Sequence, residues 1–365
     1  MCRAVALDTL PATMDAARFA FNVRVVARAL PRAAISALLS VISPLHSQAQ
    51  VEGSAPLPER LSDTGLYVTG STTQLRPGVL TFAPHYALWS DGADKQRWIA
   101  LPPGGVINAS QPDAWQFPPG TKAWKEFRHA SRRIETRTLE RLRDGTWRYA
   151  TYLWRDDGSD AVLAPARGVA AWPVAQAPGG RYAVPSRSDC TGCHESAATP
   201  LLGFSALQLP LNALNDLVER GLVRDLPPAT LQRPAQFAAR SATERAALGY
   251  LHANCGHCHN RSGAGVPLRL TLAQSAADPE ASRAATLASM LGVAGRFRTP
   301  AWPEAGHLIE PGQPSHSTLA LRMRSRDARV QMPPLGTDIA DDEGLRLVER
   351  WIRQDLSVEP RSPTP

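Results

Sequence analysis

Two short stretches hold four of the chain's five cysteines, Cys190-Thr-Gly-Cys193-His194 and Cys255-Gly-His-Cys258-His259. Cys, two spacers, Cys and an adjacent His is the spacing that attaches haem covalently. Two thiols so placed stand within one helical turn and add across the vinyl groups of one porphyrin edge, leaving the next residue under the iron. A neutral imidazole suits that position. Cys190, Cys193, Cys255 and Cys258 are therefore the expected attachment points, and His194 and His259 the expected iron ligands. Haem c is the expected cofactor, two per chain with one as the minimum.

Three other chemistries use the same residue types. A structural zinc site pairs C-x-x-C units about 15 to 20 residues apart, whereas about sixty residues separate these two. A thioredoxin-like redox pair sits between a strand and a helix in a βαβ unit, a setting this sequence does not offer. A disulfide closing a C-x-x-C loop constrains almost nothing in the unfolded chain.

A haem iron usually takes a ligand on its second face. Of five methionines, Met1 and Met14 lie in the leader region, and Met332, in Val330-Gln-Met-Pro-Pro-Leu335, is the candidate for the second motif. Prolines after it hold a non-helical loop in place. Met323, in a helix-like stretch, is the fallback. Between His194 and Ser241 there is no methionine or histidine, so the first motif is expected to have the covalent chemistry without a pocket of its own.

The elements that must position these residues fall into two parts. From about Leu61 to Pro185 the sequence reads as strands, with seven of the nine tryptophans among frequent Pro and Gly breaks. Ile134–Leu142 and Trp147–Trp154 flank Arg143-Asp144-Gly145, a hairpin signal because the turn needs positive φ and glycine supplies it. Trp147, Tyr149, Thr151 and Leu153 share one strand face. The expected fold is α+β in two parts: a mainly antiparallel β domain, sandwich or barrel, followed by an all-α domain. The tryptophans are expected in its core. Ser90-Asp91-Gly92 and Asp156–Asp160 have oxygen ligands for Ca²⁺ but read better as turns. Lys122, Lys125 and Arg128 are candidates for haem propionate contacts, with a solvated surface the simpler reading.

Helices follow the first motif. Leu211–Leu222 ends near Gly221, Ser282–Leu291 is a further candidate, and Ser241-Ala-Thr-Glu244 is a capping-box pattern opening a helix that runs into Cys255. Asp341 or Asp342 caps a last helix with Leu345, Val348, Trp351 and Ile352 on one stripe. The resulting layout is a leader over 1–49, a β-rich domain over 50–187, the first motif and a helical connector over 188–240, a second haem domain over 241–357 and a tail over 358–365.

The leader has Arg24, Arg28 and Arg32, then apolar residues from Ala33 to Leu45 and small residues at Ser47 and Ala49. That order is a secretory signal pattern, and it implies a periplasmic or otherwise exported protein without an integral membrane segment in the mature chain. Removing five Arg and two Asp takes +3 from the formal +7 and leaves +4. Three dispersed lysines and no Lys/Arg run argue against nucleic acid as a partner.

The succession of a helix into the motif, intervening loops, a methionine loop and a closing helix resembles class I cytochromes c. That resemblance implies that the first and last helices cross, with Ala247 and Leu251 meeting Trp351. A wider resemblance runs from Arg60 to Arg353 through RLSDTGLYVTG, ALWSDGADKQRWIALPPG, WQFPPGTKAWKEF, IETRTL, YAVPSRSDCTGCH, PLLGFSALQL and YLHANCGHCH. These stretches look like a family of exported bacterial dihaem c-type cytochromes, which implies two haems and the two-part layout. The expected function is single-electron transfer to a redox partner protein, with the β domain docking that partner or shielding the first haem. Two alternatives remain: a peroxidase-like dihaem enzyme reacting at the first haem, and a haem-linked binding module.

Overall fold

Alternating side chains build four long strands whose two faces are both buried. The computed structural model describes residues 55–261, 269–298 and 306–357; the leader, Cys2 and the tail from Val358 lie outside them. The strands are β1 (Leu80–Thr81), β2 (Asp94–Ala100), β3 (Ile107–Asn108), β4 (Lys122–His129), β5 (Arg132–Arg141), β6 (Trp147–Trp154), β7 (Ala161–Leu163), β8 (Val169–Pro173), β9 (Arg181–Val184) and β10 (Val223–Arg224). Six of them form one antiparallel sheet in the order β1-β2-β4-β5-β6-β7, while β3 pairs with β10 and β8 with β9. The expected hairpin joins β5 to β6, with Gly145 at φ 84° and Asp144 Oδ1 accepting from the Thr146 N–H.

The sandwich or barrel expected from the sequence does not form: the six-stranded sheet stays open, with β1 and β7 at its edges, and the two further sheets among the described residues have only two strands each. Even side chains of β6, Tyr152 and Trp154, pack with Trp98, Trp124, Leu61 and Leu66 on one face. Tyr149 and the partly buried Trp147 pack on the other with Ile99, Leu139, Phe204 and Leu214, and Leu153 packs with Tyr182 and Val184 of β9. Strands apolar on both faces need cover on both sides. Irregular chain from the 60s covers the first face; residues 201–226 cover the second. Trp98, Trp115, Trp124 and Trp154 are core residues, as expected.

The helices are α1 (Arg187–His194), α2 (Leu211–Glu219), α3 (Pro228–Gln232), α4 (Ala242–Asn254), α5 (Pro279–Ala288), α6 (Thr318–Arg324) and α7 (Asp342–Gln354). Ser241 caps α4 by accepting from the Glu244 N–H, and Asp341 caps α7 by accepting from Gly344. Ala247, Leu248 and Leu251 of α4 share a core with Leu345, Val348, Trp351 and Ile352 of α7. The packing is close, since a Cβ on Gly344 would stand 2.3 Å from the Tyr250 ring. An antiparallel sheet in the middle of the chain and helices toward its C-terminus thus make a mixed α and β structure. The described residues all belong to one compact unit, Gly53–Pro365. Among them no helix is long and apolar enough to cross a membrane.

Candidate functional site

Each cysteine motif is held in a helical turn by a different local device. The first occupies α1, whose Ser186 cap and Asp189 form a reciprocal capping box. The second follows α4, and the turn continues through the motif as Cys255 N–H donates to the Leu251 carbonyl and His259 N–H to the Cys255 carbonyl. In both, one turn carries two sulfurs and an imidazole.

The two motifs meet. Cys193 Sγ, Cys258 Sγ and a ring nitrogen of His257 all lie within 4.8 Å of one another. Asn260 Nδ2, one residue past His259, donates to the Ser196 carbonyl at 2.8 Å. The contact with Cys258, together with burial, pushes the Cys193 thiol up to about 12, whereas the same contact holds Cys258 below the usual thiol range. Burial alone pushes Cys255 up to about 12. No disulfide joins any of the four.

Both motifs open onto one cavity of about 450 Å³, a size typical of cofactor pockets. Cys190, Cys193, His194, Cys255, Cys258, His259 and Met332 all line it. The first motif therefore does have a pocket, contrary to the sequence expectation. Its walls come from β4, β5 and β6 of the sheet and from Leu201 and Leu202, elements distant in sequence that no helical pattern around Cys190 reveals. Leu270, Leu272, Met290 and Leu308 line the side of the second motif.

His194 Nδ1 donates to the Pro200 carbonyl at 2.6 Å in the tautomer that leaves Nε2 unprotonated. A metal-binding imidazole is commonly fixed in this way, by donating its other ring N–H to a carbonyl. The ring tilts against Tyr149 of β6, with centroids 5.5 Å apart. Burial, partly offset by the Pro200 hydrogen bond, brings the His194 pKa down to about 4. Burial, with the Arg322 and His257 charges adding to it, brings His259 to about 4 as well. Both imidazoles are thus neutral near pH 7, the form that ligates. His259 Nδ1 is buried without a hydrogen-bond partner among the described residues.

Met332 stands in the loop beyond α6. Its N–H donates to the Arg322 carbonyl at 2.9 Å, so it shares Arg322 as a neighbour with His259. Met323 and Met290 also line the cavity but are buried in the α4–α7 core. The Met332 loop is tied to the segment between β1 and β2. Asp91 accepts from the Asp338 and Ile339 N–H groups, and Trp89 Nε1 donates to the Ile339 carbonyl. Trp89 N–H in turn donates to Asn254 Oδ1, one residue before Cys255. Asp91 and Asp157 thus serve backbone N–H groups, with Asp157 accepting from Ser159, and Asp156 pairs with Arg132. These are turn and tether roles.

Of the three basic residues considered from the sequence, Lys122 turns to the Thr64 carbonyl and Glu140, and Arg128 to Glu126. Lys125 alone lines the cavity, together with Arg97 and Arg137. Sequence reasoning missed Arg97, Arg137 and Tyr149. Their strand alternation carried the signal, but not the choice of face. His257 was also missed, although it stands between the second pair of cysteines.

Chemically, four thiols and two neutral imidazoles around one largely apolar cavity fit covalent haem with axial histidine. Cys193, Cys258 and His257 alone have the donor types of a zinc-like soft-metal site. No protein-family model, curated protein or solved structure matches this chain.

Proposed function

We propose that the protein is an exported c-type cytochrome that passes single electrons through haem c attached at Cys190 and Cys193 and at Cys255 and Cys258. His194 and His259 would be the proximal ligands, and Met332 the second ligand at the later motif. The observation that carries this reading is the convergence of both motifs on one cavity, with His194 turned by Pro200 so that Nε2 is the free nitrogen. Haem supplies one-electron chemistry; the chain supplies neutral imidazoles and a largely apolar cavity around them. The packing of α4 on α7, with Ala247, Leu251 and Trp351 in one core, also supports a class I cytochrome c-like arrangement of the C-terminal helices. A redox partner protein completes the proposal.

The test is haem count per chain by intact mass and pyridine haemochromogen, after expression with the cytochrome c maturation machinery. Two haems are expected. One would remove the first motif from the proposal, and none would overturn it.

A second reading, a peroxidase-like enzyme reacting at the first haem, is favoured by the surroundings of His194. Tyr149 and the charges of Lys125 and Arg137 stand near it, whereas all three cavity methionines come from the C-terminal helices and loops. Cyanide binding at one haem only, with peroxide turnover, would select that reading over simple electron transfer.

A further inference from the structure

A row of three cations crosses the centre of the sheet. The register sets Arg97 of β2 opposite Lys125 of β4, and Lys125 opposite Arg137 of β5. Adjacent strands are about 4.8 Å apart, so like charges on one rung repel and destabilise the pairing. All three side chains line the cavity, on the same face as Tyr149.

Only Arg137 has a carboxylate. Glu135 Oε1 accepts from its guanidinium at 2.5 and 2.6 Å and from the Tyr182 hydroxyl at 2.8 Å. Lys95, on the next rung, gives its ammonium to the Leu88 carbonyl at 2.9 Å. Neither the Arg97 guanidinium, 8 % exposed, nor the Lys125 ammonium has a hydrogen bond or ion pair among the described residues. Lys125 Nζ stands 4.8 Å from the Phe127 ring centre, a contact with a π face and not with an anion. Burial lowers Arg97 to about 10 and, with Arg97, Arg137 and Lys95 adding to it, takes Lys125 well below the usual lysine range.

Lys122 and Arg128, on the same strand as Lys125, show the ordinary solution, since each has a carboxylate. A buried charge is costly unless paired, and a row of such charges aimed into one cavity is explained if an anion completes it there. We propose that Arg97 and Lys125, flanked by Arg137 on its Glu135 support, form an anion site in the cavity wall beside the first motif. Its ligand is a carboxylate or small oxyanion, the group that guanidinium and ammonium donors bind through charge-assisted hydrogen bonds. The charges of Lys125 and Arg137 both act on His194, and that of Arg137 acts on Cys190, which puts the site at that motif.

Two sources carry this chemistry: a propionate of the prosthetic group, or a free anion from solution. The first source rests on the haem reading above; the second does not. The experiment uses the full chain made with the maturation machinery, and the haem content of each preparation is measured first. Arg97→Leu and Lys125→Met are compared with Arg97→Lys and Lys125→Arg, which keep the charge, and with Arg128→Leu outside the cavity. Resonance Raman reads the propionate bending band, and calorimetry reads binding of sodium formate.

If a propionate fills the site, the band moves in the two neutral variants, returns in the charge-keeping ones, and formate does not bind the wild type. If a free anion fills it, formate binds the wild type and binds the neutral variants about tenfold or more weakly, as the loss of a charge-assisted hydrogen bond predicts. The proposal is overturned if neither the band nor formate binding separates the neutral variants from the wild type. A preparation without haem would defeat the haem reading alone, and the formate titration would still decide the anion site.

Discussion

Cys193 and Cys258, the second cysteines of two motifs far apart in sequence, bring their sulfurs within 4.8 Å of each other. The contact is local to both motifs, because Asn260 and Ser196 clamp the residues just beyond the two histidines. Porphyrins bonded to those sulfurs would be coupled chromophores. Circular dichroism in the Soret region should therefore show a two-signed couplet for the doubly loaded protein. Replacing Cys255 and Cys258 with Ser should collapse it to a single band. A doubly loaded protein without a couplet would contradict the expected coupling.

Met332 and Met290 both line the cavity, yet they should respond differently to truncation. Met332 lies in a loop beside Arg322 and is only half-buried, whereas Met290 is 1 % exposed in the α4–α7 core. Met332→Ala should alter the reduced spectrum and lower the potential of one haem, since methionine ligation raises it. Met290→Ala should leave the potential in place and cost about 2–5 kcal/mol in urea unfolding, the usual price of emptying a core site. Reversal of the two outcomes would move the ligand assignment to Met290.

The contrast between the two motifs explains what the sequence could and could not reveal. Around Cys255 the cavity is lined by the end of α4, by Leu270, Leu272, Met290 and Leu308, by α6 and by the Met332 loop, and of these the α4 cap and the methionine loop were visible in the sequence. Around Cys190 the pocket comes from β4, β5 and β6, which lie earlier in the chain and reach α1 through sheet register. Alternation in Trp147–Trp154 showed that Tyr149 and Leu153 share a face, but β6 is buried on both faces, so the pattern did not say which one meets His194. The same ambiguity made an open sheet covered by irregular chain read as a sandwich or barrel. The row Arg97, Lys125 and Arg137 exists only once three strands are aligned.

Two glycines control how closely the helices approach their neighbours. A Cβ on Gly249 of α4 would stand 2.1 Å from the Tyr86 ring, and one on Gly344 of α7 would stand 2.3 Å from Tyr250. Gly249→Ala and Gly344→Ala should each cost about 1–3 kcal/mol, the range for overpacking a fitted contact. Gly192→Ala is the control, because nothing lies within 4 Å of its added Cβ and alanine is the better helix former in α1. Urea midpoints decide the matter: equal stability of the three variants would mean that the helices do not pack this closely.

His252 gives a pH dependence whose sign is fixed by its surroundings. Its Nδ1 accepts the Gln274 N–H at 3.0 Å, so the bound form is the neutral ring, and burial lowers its pKa from 6.5 to about 4. Between those values the unfolded chain binds the proton and the folded chain does not. The stabilisation is therefore complete above pH 6.5 and is lost as pH falls toward 4. The most this one group can contribute is about 3 kcal/mol, at 1.36 kcal/mol per unit. His252→Gln keeps an acceptor for Gln274 without a titrating ring, while His194 and His259 remain in both proteins. Wild type minus variant should thus shrink by about that amount between pH 7.5 and pH 4 in urea titrations. A difference that stays flat across that range would show that His252 is not held neutral by the fold.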